Sequence, residues 1–128
     1  MIAFILVLGF AGCSKEAEIG VLDIQDVIER ATYAQSFQQK LDSAGEEIEA
    51  RFAEESKEVS NEERMALQQK AYQEYLTVKQ ELEDELNQEI ERAVAEVVKE
   101  EKISLVIYKQ AVRYGGTDIT DLVIEKLQ

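Results

Sequence analysis

Apolar residues recur with a helical period through the first half of the chain. Four of them are spaced seven residues apart, namely Val27, Ala34, Leu41 and Ile48. A second set, Ala31, Gln38, Gly45 and Phe52, follows four residues later in each heptad. So narrow a seam predicts one long helix, from about Gln25 to Val59, that packs against a single partner helix.

A second helical segment follows Ser60 and runs to about Glu101. Ser60 with Glu63 three residues later is a capping-box pattern, which marks a helix N-terminus. The apolar seam of this segment passes through Met65, Tyr72, Tyr75, Leu82, Leu86, Ile90, Val94 and Val97. The pattern therefore places a turn between two helices near residues 60–61.

If the chain turns back near Ser60, residues equally distant from the turn face each other. Gly45 then lies opposite Tyr75. Glycine inside a helix costs about 1 kcal/mol relative to alanine, and room for an aromatic ring would explain its presence. We therefore predict an antiparallel helical hairpin, the arm, over residues 25–102. One continuous parallel coiled coil through Ser60 is the alternative.

Segments on both sides of the arm change to a strand-like period. Residues 19–24, rich in β-branched side chains, predict a first strand. Residues 103–108 are nearly all apolar and predict a second strand that is buried on both faces. A tight connection at residues 109–110 and a third strand at residues 111–114 complete a predicted strand hairpin.

The end of the chain predicts a turn and a short helix. Gly115 and Gly116 end the third predicted strand. Thr120 is the predicted N-cap of the helix, and Asp121 lies favourably near its positive end. The helix has an apolar face of Leu122, Val123, Ile124 and Leu127.

Together these elements predict an α+β fold with a small β head, residues 19–24 and 103–128, and a long helical arm. The head has about 32 residues, and domains below about 40 usually need disulfides, metal or oligomerisation. One Cys and no His rule out an internal disulfide and a Cys/His zinc site. We therefore expect strands shared between subunits. Their predicted core consists of Ile19, Val21, Leu105, Ile107, Val112 and Tyr114.

The first residues form a separate segment. Residues 1–12 are almost wholly apolar and uncharged, too short to span a bilayer, and typical of a signal peptide. Phe10-Ala11-Gly12-Cys13 resembles a bacterial lipobox, in which the Cys is lipidated and the peptide is cut before it. We predict lipidation of Cys13 and a tether over residues 13–18. An ordinary signal with an incidental Cys, or a wrongly assigned start, is the alternative.

Charge excludes several classes of function. The chain carries 14 basic and 27 acidic residues, a net charge of −13, which argues against nucleic-acid binding. Residues 13–102 hold 11 basic and 24 acidic side chains, whereas residues 103–128 hold 3 of each. The acidic runs at residues 46–49 and 81–85 lack calcium-loop spacing, and we interpret them as solvated helix faces. Without a nucleophile–base pair or a phosphate loop, we expect no enzyme, cofactor or metal site.

The order of elements resembles the Skp/OmpH family of periplasmic chaperones. The residues that carry the resemblance are Ile19–Ile24, Ser104–Tyr108, Ala111–Tyr114 and Asp118–Thr120, with Val123 and Leu127. The resemblance implies a homotrimer with a shared β head and helical arms around a cavity. It also implies ATP-independent holding of unfolded outer-membrane proteins. Members such as Skp itself are basic, whereas these arms are acidic, so client attraction that depends on a basic cavity is not expected here.

Aromatic and sulfur side chains of the arm are the candidate client contacts: Phe52, Met65, Tyr72 and Tyr75. The other interpretation of these residues is that they close the seam between the two helices. The predicted function is a lipid-anchored holdase on the periplasmic side of the envelope, at the outer membrane. A structural or spacer coiled-coil lipoprotein is the alternative. The outer arm faces lack a second apolar seam in the sequence pattern, which favours a hollow oligomer over a stalk.

Overall fold

The computed structural model describes residues 18–128, so the predicted signal peptide and Cys13 lie outside the described residues. The elements in chain order are β1 Ile19–Leu22, α1 Ile24–Arg30, α2 Thr32–Glu55, α3 Asn61–Glu101, β2 Leu105–Tyr108, β3 Thr117–Asp118 and α4 Thr120–Lys126. A small sheet, a long helical hairpin and a short C-terminal helix confirm the predicted α+β class.

The arm consists of α2 and α3, which pack against each other along their length. Its turn contains the predicted capping box: Glu63 N donates to Ser60 Oγ at 3.2 Å, and Ser60 N donates to Glu63 Oε2 at 2.9 Å. The hydrogen bond from the Ser60 backbone N–H, followed by a contribution from the Ser60 side chain, lowers the pKa of the Glu63 carboxyl. The ring of Tyr75 lies beside Gly45, as the predicted register of the two helices requires. The hairpin prediction is therefore confirmed, and the continuous coiled coil is wrong.

The first predicted helix is interrupted, which the sequence pattern did not indicate. Ala31 is extended (φ −70°, ψ 129°) and separates α1 from α2, and α2 ends at Glu55 rather than at Val59. Ala31 is fully buried, and the backbone N–H of Tyr33 donates to the Leu127 carbonyl at 3.0 Å. Packing against the C-terminal residues thus overrides the helical propensity of this segment.

The sheet has the strand order β2-β1-β3, and both pairings are parallel. The predicted strand hairpin is therefore wrong. A 3₁₀ turn at Lys109–Ala111 follows β2, residues 112–114 form no strand within the described chain, and the third strand is Thr117–Asp118. Gly115 and Gly116 have φ of +86° and +85°, which lets the chain turn back so that β3 runs parallel to β1.

Thr120 begins α4 as its first residue rather than as its N-cap, which corrects the predicted role. Asp118 Oδ1 accepts a hydrogen bond from Thr120 N at 2.9 Å. Hydrogen bonding with the Thr120 side chain, and then with its backbone N–H, lowers the pKa of Asp118. The buried Thr120 Oγ1 accepts from Asp23 N at 3.0 Å. Thr120 therefore joins α4 to the start of α1.

One apolar core combines the head with the base of the arm. It contains Leu22, Val27, Ala31, Ala34, Leu86, Ile90, Ala93, Val97, Ile103, Ile119, Val123, Ile124 and Leu127. The arm base thus supplies much of the core that the small sheet lacks. The prediction that residues 103–108 are buried on both faces is wrong for a single chain, because Leu105 is 53% exposed and Tyr108 is 58% exposed.

Candidate assembly face and client-contact stripe

The predicted head-core residues lie on one face of the sheet. In the β1–β2 register Ile19 pairs with Leu105 and Val21 pairs with Ile107. Paired residues of neighbouring strands point to the same side, so these four side chains share a face. Val112 and Tyr114, from the loop after β2, line an open groove together with Ile19 and Ile107. We call these six residues the assembly face.

The assembly face is largely uncovered in a single chain. Val21 is 8% exposed, but Ile19 is 38% and Tyr114 is 91% exposed. Large exposed apolar patches on soluble proteins usually mark interaction sites. The structure therefore brings together the residues predicted to form a shared core, and leaves Ile19, Leu105 and Tyr114 exposed.

A second groove lies on the opposite face of the sheet. Its apolar lining comes from Leu22, Ile90, Val94, Ala95, Val106 and Tyr108, and its volume is about 300 Å³. Glu91 of α3 is the charged residue that lines it. Each head therefore presents two apolar concavities, one on either side of a sheet of only three strands.

The four predicted client contacts separate into two pairs. Met65 is 71% exposed and Tyr72 is 59% exposed. Tyr75 packs beside Gly45, and Phe52 is half-buried beside Ile48 and Leu67, which line the same small interhelical cavity. The seam interpretation thus holds for Phe52 and Tyr75 and is wrong for Met65 and Tyr72.

Leu76 is a surface residue that the sequence analysis missed. It is 38% exposed and lies four residues after Tyr72 on α3, one helical turn further along the same side. The spacing of seven and then four residues from Met65 was the available signal. We call Met65, Tyr72 and Leu76 the arm stripe. The expectation that the outer arm faces lack a second apolar seam is therefore wrong for this segment.

The arm stripe lies on a neutral part of an acidic arm. Most of its neighbours one helical turn away are uncharged, among them Gln68, Gln69 and Gln80. The charged neighbours are Glu62, three residues before Met65, and Lys79, three residues after Leu76. Glu74, between Tyr72 and Leu76 in sequence, is directed instead to α2, where Arg51 Nη2 lies 2.5 Å from its carboxylate. On α3, no carboxylate lies one helical turn from Tyr72 or Leu76, so that part of the stripe is free of nearby acidic groups on its own helix.

Near the base of the arm, a polar cluster ties α2 to α3. Tyr33 donates its hydroxyl to Glu85 Oε1 at 2.7 Å, and Lys40 Nζ donates to the same oxygen at 3.1 Å. The hydrogen bond to Glu85, with some burial, raises the pKa of Tyr33 to about 12. The same bond, followed by that from Lys40, lowers the pKa of Glu85. The base of the arm is thus held by polar contacts as well as by apolar packing.

Residues 18–128 include no group of three or more acidic, His or Cys side chains placed to hold a metal ion. Within the same range, every helix is too short or too polar to cross a bilayer.

Comparison with known families matches the second half of the chain. A family model described as "Outer membrane protein (OmpH-like)" covers residues 60–127, from the capping box of α3 through β2 and β3 to α4. That range is just over half of the 128 residues. No curated protein matches the chain significantly.

Proposed function

Because the chain belongs to the OmpH-like family of outer membrane proteins, we propose that it is an ATP-independent periplasmic holdase. In this proposal the protein binds unfolded outer-membrane proteins, works as a homo-oligomer, most simply a trimer, and performs no catalytic step. It is held at the periplasmic side of the outer membrane through a lipidated Cys13.

The arm stripe is the observation that supports client binding. Three large apolar side chains, Met65, Tyr72 and Leu76, are exposed on one side of α3. Methionine and aromatic side chains suit binding to varied sequences, because they adapt their contacts to different partners. An unfolded outer-membrane protein exposes alternating apolar residues along its strands, which such a surface can bind.

Geometry also supports a holdase over a spacer. A stalk of zipped arms needs an apolar seam that continues along the full length of both helices. The arm stripe instead spans residues 65–76, about three turns of a helix of 41 residues. The rest of the arm surface is dominated by acidic side chains, which would repel a second arm.

Client binding is tested by suppression of aggregation of an unfolded outer-membrane protein, at low and moderate salt. The wild-type chain should suppress aggregation. A variant with Met65→Ser, Tyr72→Ser and Leu76→Ser together should need at least about tenfold more protein for the same effect, because the apolar contact is lost. Ile28→Ser is the matched control, since Ile28 is 47% exposed but belongs to α1. No suppression by the wild-type chain would contradict the holdase proposal and favour the spacer.

Membrane attachment is supported by the sequence around Cys13 and by the position of β1. The five residues between Cys13 and Ile19 reach roughly 17 Å when extended, which would keep the head close to the bilayer. Cys13→Ser should release the protein into the soluble periplasmic fraction. Unchanged membrane attachment of that variant would contradict the lipid anchor.

A further inference from the structure

We propose that Met65 is a site of reversible oxidation, at which a peroxide converts the thioether into a sulfoxide and thereby weakens client binding by the arm stripe. The regulation rests on the proposed function, because it acts on the surface that would hold clients. Its substrate class is a small, uncharged peroxide, and its product is methionine sulfoxide.

The side chain of Met65 is open to solvent. It is 71% exposed, the largest exposed fraction of the three residues in the arm stripe. Three residues of the chain contain sulfur, namely Met1, Cys13 and Met65, and Met65 is the one that lies within residues 18–128. A small oxidant therefore reaches this thioether without any unfolding of the arm.

Met65 lies where a new polar group does not disturb the fold. It is the fifth residue of α3, which begins at Asn61 directly after the arm turn. Leu86, the first α3 residue of the core shared by the head and the arm base, lies roughly 30 Å further along the helix. Oxidation of Met65 therefore changes the arm surface and leaves the packing of the core intact.

Oxidation transfers one oxygen atom from the peroxide to Sδ of Met65. The O–O bond of hydrogen peroxide breaks and an S–O bond forms. The sulfur is oxidised by two electrons, which reduce the departing oxygen, and both hydrogens of the peroxide leave with that oxygen as water. Hydrogen peroxide is uncharged, so the net charge of −13 does not repel it from the arm.

A sulfoxide at residue 65 interrupts the apolar stripe. Tyr72 follows Met65 by seven residues, which places both side chains on one side of α3 about two turns apart. Methionine sulfoxide is polar, and covering it with an apolar client segment removes its hydrogen bonds to water without replacing them. Tyr72 and Leu76 keep their apolar surfaces, so oxidation lowers the affinity for clients without abolishing it.

Reduction returns the stripe to its apolar state. Methionine sulfoxide reductases remove the oxygen as water while two thiols are oxidised to a disulfide, and the thioether is restored. The affinity of the arm for clients then depends on the balance between peroxide and reductase.

The test uses the full chain in the aggregation assay, before and after treatment with hydrogen peroxide and removal of the oxidant. Peptide mass spectrometry should locate one added oxygen atom at Met65. The oxidised wild-type chain should need at least about threefold more protein for the same suppression of aggregation, because one of three apolar contacts is lost. Treatment with the two reductases that act on the two sulfoxide epimers should restore the original activity.

Two variants of Met65 are the matched controls. Met65→Leu keeps an apolar side chain of high helix propensity without a sulfur atom, so peroxide should leave its activity unchanged. It retains Met1 and Cys13, and therefore reports any effect of their oxidation. Met65→Gln has an uncharged polar side chain of similar length and should match the oxidised wild-type chain without peroxide. Circular dichroism checks that every sample keeps its helices.

The outcomes separate this regulation from the proposed function. If the untreated wild-type chain does not suppress aggregation, both the holdase function and the regulation at Met65 are overturned. If the untreated chain is active and its oxidised form is equally active, the regulation alone is overturned. The same conclusion follows if peroxide lowers the activity of Met65→Leu as much as that of wild type, or if Met65 gains no oxygen.

Discussion

Gly116 lies against Val21 with no room for a side chain. A Cβ atom built on Gly116 would lie 2.5 Å from Cγ2 of Val21, closer than carbon atoms approach without displacing one another. Gly116 also has φ of +85°, in the region that favours glycine. This contact lets the loop return across β1 and place Thr117 beside Gly20, where β3 begins to pair.

Gly116→Ala should therefore destabilise the head by about 2–4 kcal/mol, from crowding against Val21 together with backbone strain. Gly115→Ala is the matched control. Gly115 has φ of +86°, but a Cβ there meets nothing within 4 Å, so we expect only the conformational cost of about 1–2 kcal/mol. Denaturant unfolding at one protein concentration measures both variants. Equal losses would show that contact with Val21 does not constrain this turn.

Leu105→Asp should prevent assembly of the heads. Leu105 is 53% exposed in the single chain, so a charged side chain is tolerated there. In a shared sheet the aspartate carboxylate would be buried without a charge partner, at a cost of several kcal/mol. The variant should be monomeric, and its thermal midpoint should no longer rise with protein concentration. Ser104→Asp, one residue before β2 and also exposed, should still assemble. A Leu105→Asp chain with the mass of the wild-type oligomer would contradict the assembly face.

Raising the pH should loosen the base of the arm through Tyr33. Its pKa is raised from 10 to about 12 by the hydrogen bond to Glu85, so the neutral hydroxyl stabilises the folded arm. That contribution is complete below about pH 10, the pKa of an unfolded tyrosine, and is lost as the pH rises through 12. Tyr33→Phe should lose less stability than wild type between these pH values, because phenylalanine has no hydroxyl to ionise. The titration of the lysines affects both chains equally and cancels in the comparison. Identical pH profiles would show that the bond to Glu85 has no energetic effect.

Salt should change the spread of the arms. With 11 basic and 24 acidic residues over positions 13–102, arms held by one head repel each other. The screening length falls from about 30 Å at 0.01 M to about 8 Å at 0.15 M ionic strength, so added salt should let them approach. Small-angle scattering should show a smaller radius of gyration at unchanged mass. A constant radius across the salt series would mean that arm charge acts only on solubility.

The arm was predictable from the sequence because its signals are local. A seven-residue apolar repeat, a capping box at Ser60 and a small residue opposite a ring together specify two helices and their register. Each signal depends on residues within a few helical turns or directly across the hairpin. The structure accordingly has Tyr75 beside Gly45 and begins α3 directly after Ser60.

The exposed side of the arm was only half predicted. Of the four predicted client contacts, Met65 and Tyr72 are exposed, whereas Phe52 and Tyr75 lie between the two arm helices. The exposed Leu76 was not predicted. Which side of α3 faces α2 follows from helix packing, and residues one position apart on a helix differ by about 100°. Tyr72 is therefore exposed whereas Ala71, its neighbour in sequence, is half-buried.

The sequence by itself determined the α+β class, the two arm helices, their turn and the strand character of both head segments. Only the tertiary structure decided how the head strands pair, where α1 ends and which residues stay exposed. Strand pairing joins residues that are far apart in the chain, here Ile19 with Leu105 and Gly20 with Thr117. The pattern of apolar residues in a strand does not identify which other strand it pairs with. Gly115 and Gly116, which have positive φ, turn the chain back so that β3 pairs with β1. Residues 112–114 therefore have no strand partner among the described residues of their own chain.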